Sequence, residues 1–200
     1  MRKCLILLLI LALLCPFSAS AAEAPKFVVL TFGGIPAGAE GRALLDGLAA
    51  RDVRATFFLW AAPWEQGRRV LNERHEIGLM LPDSLNQLSR RQVAAKLRGV
   101  RALIPPCQVR FLMTEGRCSD GVGQVARALH FSFPEAPVSP RKEGFMDYSI
   151  LSQVQSGDTL YFPVSSRADI SFALNAVDLL QDRGFTLITA SEMARLHRLG

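Results

Sequence analysis

The sequence predicts an α/β domain built on about seven mostly parallel strands. Short apolar runs rich in Val, Leu, Ile and Phe recur along the chain, as expected of strands buried on both faces. Amphipathic stretches with helical spacing separate them. Cap and turn residues mark the junctions, and no internal repeat or low-complexity segment breaks the alternation. A barrel and an open sheet both satisfy this pattern. In either, functional residues collect at the carboxyl ends of strands.

The chain has 200 residues and opens with "MRKCLILLLILALLCPFSASAA". Two basic residues, an apolar run and small residues predict a secretory signal peptide over 1–22, cleaved after Ala19-Ser20-Ala21 or Ser20-Ala21-Ala22. The apolar run, 4–15, is shorter than the ~20 residues that cross a bilayer. Leu14 before Cys15, with Pro16 after it, speaks against a lipoprotein. Residues 23–200 are then one exported domain, secreted or periplasmic, with no membrane span after cleavage. The net charge is +5, and loss of Arg2 and Lys3 leaves a mildly basic domain. No long Lys/Arg run is present, so nucleic acid is not an expected partner. "GRR" (67–69) and "RRQ" (90–92) read as solvated helix faces.

The elements follow in order. "KFVVLTF" (26–32) is a buried strand, and 39–52 a helix with Ala43, Leu44, Leu48 and Ala49 on one face. "RATFFLW" (54–60) is a strand, 64–75 a helix, and "EIGLML" (76–81) a strand closed by Pro82. Residues 89–104 form a helix capped by Ser89, before a strand at 109–113. Residues 119–130 are helical, 131–133 a fifth strand, and the proline-rich 134–144 a loop. A short helix at 147–155 precedes a strand at 158–164 that Pro163 ends. A helix at 168–184, closed by Gly184, a strand at 185–190 and a helix at 191–199 complete the chain.

Two cysteines leave with the signal, and Cys107 and Cys118 remain. Export favours a disulfide between them, worth roughly 3 kcal/mol for a loop of about a dozen residues. Two free buried thiols, a redox pair and half a zinc site are the alternatives. The spacing is not C-x-x-C, and no second close ligand pair accompanies it. The histidines are His75, His130 and His197, the last beside the C-terminus. Glu115, Arg117 and Asp120 crowd the loop after the fourth strand. Trp60 and Trp64 bracket the end of the second strand, where rings could stack on a sugar or simply pack. Ser165-Ser166 has no base nearby in sequence, and neither G-x-S-x-G, a phosphate loop nor a dinucleotide fingerprint occurs.

Five segments, in order, resemble the polysaccharide deacetylases, carbohydrate esterase family four, with the NodB-homology domain. They are "VVLTFGGIP", "LLDGLAARDVRATFFLW", "RHEIGLMLPDS", "SGDTLYFPV" and "LLQDRGFTLITASEM", spanning nearly all of the mature chain. The resemblance implies a distorted (β/α) barrel with a glycan groove. It also implies a zinc-dependent deacetylase with an aspartate base and a histidine acid. The residues depart from that pattern. The base would fall at Gly33 and the metal aspartate at Gly34. The metal histidines would fall at Met80 and Ser84, the loop arginine at Leu112, and the acid pair at Pro163 and Val164. No zinc ligand stands at these positions.

The resulting expectation is a catalytically inactive relative that uses no metal cofactor. It would bind a cell-envelope glycan, peptidoglycan or chitin-like, or a protein partner, through a groove at Trp60, Trp64, Glu115 and Arg117. The alternatives are an active deacetylase with a relocated site, and an envelope interaction protein with no glycan affinity.

Overall fold

The computed structural model describes residues 24–60, 65–103, 109–134, 137–142 and 145–198. The predicted signal peptide, Trp64 and Cys107 lie outside them. The central strand β1 is Lys26–Gly33. It pairs in parallel with β2 (Thr56–Leu59), which continues to β3 (Glu76–Leu81) and β4 (Leu112–Thr114). On its other edge β1 is shared. Its first half pairs with Phe185–Ile188 and its second half with Thr159–Pro163. With β5 (Arg141–Lys142) and β6 (Phe145–Met146) as a separate antiparallel ribbon, Thr159–Pro163 is β7 and Phe185–Ile188 is β8. The six-stranded parallel sheet curls into a half-barrel with helices around it. The helices are α1 (Gly38–Ala49), α2 (Glu65–Asn72), α3 (Arg90–Leu103), α4 (Asp120–Ala128), α5 (Tyr148–Ser152), α6 (Arg167–Asp182) and α7 (Ala190–Leu196).

Alternation along the strands splits the core in two. Leu30, Phe32, Phe57, Leu160 and Phe162 face the helices. Phe32 stacks on Phe57 at 5.0 Å and meets Phe162 at 5.9 Å. Val29, Phe58, Met80, Phe111, Met113 and Ile188 fill the concave side. Two edges remain. Ser132 bridges to Phe111 on the β4 edge and Val138 to Leu160 on the β7 edge, so the residues flanking 135–136 reach opposite sides of the opening.

Residues 131–133 are therefore not a fifth strand, as the sequence pattern predicts, but a single bridge. The Phe131 N–H turns back to Ala126 O (3.0 Å), and Pro134 has no N–H to continue a ladder. Part of the predicted loop at 134–144 is instead the first strand of the β5–β6 ribbon.

The segments carrying the family resemblance hold the frame. The Thr56 hydroxyl donates to Glu76 Oε2 (2.9 Å) and accepts from the Ala190 N–H (2.9 Å). Glu76 also accepts from the Ser191 N–H (3.0 Å) and hydroxyl. Thr189 and Glu192 form a capping box on α7. His75 is buried, and its Nδ1 accepts from the Ala55 N–H at 3.2 Å. Burial pushes the imidazole pKa down, which favours the neutral ring that this bond needs. His130 is exposed and ends α4 in a left-handed conformation (φ 60°).

Asp169 locks the turn from β7 into α6. Its Oδ2 accepts from the Ser165 N–H (2.9 Å) and hydroxyl (2.8 Å), and Oδ1 pairs with Arg141. Burial alone would raise this carboxyl. The hydrogen bonds from Ser165, Arg141 and Ser166 together outweigh it and bring the pKa down to about 2. A depressed folded-state pKa contributes stability that is present above the unfolded value near 4 and is lost as pH falls towards 2. Asp169→Asn is expected to cost on the order of 2 kcal/mol at pH 6. In urea titrations the gap between variant and parent should narrow steadily between pH 4 and pH 2. A gap independent of pH there would show that the carboxylate is not the stabilising form.

Candidate functional site at the barrel mouth

The ladders bring two of the expected site positions, Gly33 and Pro163, side by side. Gly33 ends β1 and is in register with Phe58 of β2 and Pro163 of β7. One row below, Thr31 is in register with Thr56 and Tyr161. Tyr161 leans from that row towards the mouth. A Cβ built on Gly33 would stand 2.0 Å from the Tyr161 hydroxyl oxygen and 2.6 Å from Cζ. No side chain fits there while Tyr161 stays. Beside it, Gly34 has φ +90°, a conformation that strains an L residue, although its side is open.

The phenol thus occupies the space over the strand end where the resemblance would place a base. It is half-buried, and burial and then the Glu115 carboxylate push its pKa up, against an opposing effect of Arg141. At neutral pH it is a protonated hydroxyl, able to donate and accept. A cavity of about 320 Å³ opens beside it, walled by Met113, Phe133, Pro134, Pro137 and the Tyr161 ring, with Thr114 and Glu115 at the edge. Arg141, held by Asp169, is close enough to Tyr161 to act on its hydroxyl electrostatically.

The other expected site residues have different surroundings. Met80 lies in the concave core, and Ser84 is exposed on the 3-10 turn Asp83–Gln87. Both line a second cavity, together with Trp60. Leu112 and Val164 are buried in the helix-side core, although Leu112 also borders the mouth cavity. Among the expected groove residues, Glu115 reaches the mouth. Arg117 is exposed and is tied down through its backbone, its carbonyl accepting from Asn86 Nδ2 at 2.9 Å. Cys118 has no disulfide partner among the described residues, outside which Cys107 lies; its Sγ is 3.5 Å from Ser119 O, and burial pushes its pKa up.

The resemblance implies zinc, and the residues here do not fit it. Gly33, Gly34, Met80 and Ser84 offer no carboxylate or imidazole. Among the described residues no group of three or more His, Cys, Asp and Glu comes together to hold an ion. Sequence reasoning missed Tyr161, Phe133, Pro134, Pro137 and Arg141. Tyr161 was within reach, because it lies two residues before Pro163 and so on the same face of β7.

Gly33→Ala should force the Tyr161 ring outwards at a cost of about 1–2 kcal/mol. In a Tyr161→Leu background the same change should be close to neutral, a coupling that a double-mutant cycle in urea measures. Additive costs would show that the ring does not pack on Gly33. By the same packing, Gly33→Asp with Gly34→Asp, Met80→His and Ser84→His should gain zinc affinity by calorimetry only when Tyr161 is also shortened. Zinc binding by the fourfold variant with Tyr161 intact would contradict this.

No family profile matches the chain, and no curated protein does. Solved structures match it. The peptidoglycan deacetylase PdaC from Bacillus subtilis superposes with a TM-score of 0.74 at 19% identity, covering 88% of this chain and 93% of that one. PdaA of Bacillus subtilis, a family 4 carbohydrate esterase, gives 0.71 at 20% identity, covering 86% and 82%. A mutant of BA3943, described as a CE4 family pseudoenzyme, gives 0.66 at 19% identity, covering 84% and 67%. At these identities the likeness is one of fold, and the chain has the fold of the CE4 polysaccharide deacetylases.

Proposed function

We propose that this chain is an exported, catalytically inactive relative of the deacetylases that binds a cell-envelope glycan at the barrel mouth. The observation that carries the reading is the Tyr161 ring packed over Gly33. It takes the space of a base and replaces it with an aromatic face and a neutral hydroxyl. Sugar rings present C–H faces that pack on aromatic rings, and hydroxyls that pair with phenols and carboxylates. The mouth offers both, in Phe133 and Tyr161 on one hand and the Tyr161 hydroxyl and Glu115 on the other. The neighbours' names support a glycan as the ligand class, since they include a peptidoglycan deacetylase and the CE4 domain of a xylanase. BA3943 supports the idea that this fold can be kept without the reaction.

Co-sedimentation of the purified protein with peptidoglycan and with insoluble chitin, with acetate assayed in the supernatant, tests this. Binding without acetate is the expected result, weakened about threefold to tenfold by Tyr161→Ala. Acetate release that rises with added metal would mean a relocated active site. Absence of binding to both glycans would overturn the glycan reading in favour of a protein partner.

A further inference from the structure

A second cavity, of about 270 Å³, lies between the end of β3, the 3-10 turn and α3. Its walls are Leu81, Leu85, Leu88, Leu97 and Val100, and it differs from the mouth in kind. Sugar hydroxyls placed there would lose their hydrogen bonds, so the occupant is not the glycan of the mouth. Trp60 stands on its rim and is 42% exposed. The only polar side chains on its walls, among the described residues, are Ser84 and Lys96.

The helix beside it is cationic. Arg90, Arg91, Lys96 and Arg98 are exposed on α3, whose sequence contains no Asp or Glu. Among the described residues none of these four belongs to an ion pair. A single solvated charge needs no partner. Together they give this helix a positive potential that draws an anion towards it. Lys96 belongs to both features, one cation on the wall of an apolar hole.

We propose that this face binds an anionic amphiphile, with a medium-length acyl chain in the cavity and its acidic headgroup on Lys96. An apolar cavity of ~150 Å³ holds benzene, so this one takes a chain of roughly ten carbons rather than a whole lipid tail. The basic helix then places the headgroup at the protein surface, where neighbouring arginines add long-range attraction that salt screens.

The test uses Trp60 fluorescence in a Trp64→Phe protein, which leaves a single indole. Decanoate should give a saturable change below its micelle concentration. Decyltrimethylammonium should bind at least about fivefold more weakly, and butyrate should not bind. Val100→Phe should abolish the decanoate response by filling the cavity, and Lys96→Gln should weaken it about threefold. Leu88→Phe fills the same cavity from another wall and serves if Val100→Phe fails to fold, as judged by thermal unfolding. No response to decanoate, equal affinity for both head charges, or binding unaffected by a folded cavity-filling variant would each overturn the proposal.

Discussion

Strand β1 carries the constraint on which the molecule is built. It is hydrogen-bonded to β2 along one edge and divides the other between β8 and β7. Val28, Val29, Leu30, Thr31 and Phe32 are all buried. A strand fixed on both edges and both faces cannot shift by one residue without reversing every side chain. Its last residue, Gly33, is therefore delivered to one place at the mouth, in register with Pro163. Tyr161 can lie over it because a glycine is there, and the mouth takes its shape from that contact.

The remaining chemistry follows from how polar groups are spent. Glu76, Thr56, Thr189 and Glu192 saturate one another and the backbone of α7, so they stabilise the frame and are not free to react. Asp169 is likewise consumed by Ser165 and Arg141. At the mouth, the Tyr161 hydroxyl has no hydrogen-bond partner among the described residues, and Glu115 is exposed. These are groups suited to meeting a neutral, hydroxyl-rich ligand.

Much of the fold was legible because it rests on local patterns. The apolar run "FVVLTF", the cap at Ser89 and the helix end at Gly184 each state their structure within a few residues. The missing fifth strand was not legible, because it turns on the Phe131 N–H preferring Ala126 O to a neighbouring strand. The site was legible only as a set of positions. Gly33 and Pro163 do meet, but Tyr161 lies 128 residues from Gly33 in sequence, and only the β1–β7 register reveals the contact. Trp60 was read as part of the same groove, whereas it borders a separate apolar cavity at the end of β3.

The central claim is that the mouth recognises sugar through Tyr161 and its neighbours without a metal ion. Calorimetric titration of the purified protein with a soluble chitin tetrasaccharide, once with chelator and once with excess zinc, tests it most directly. The account predicts the same affinity and enthalpy in both. Binding that appears only with zinc would contradict it, since the ligand would then be meeting an ion and not the phenol.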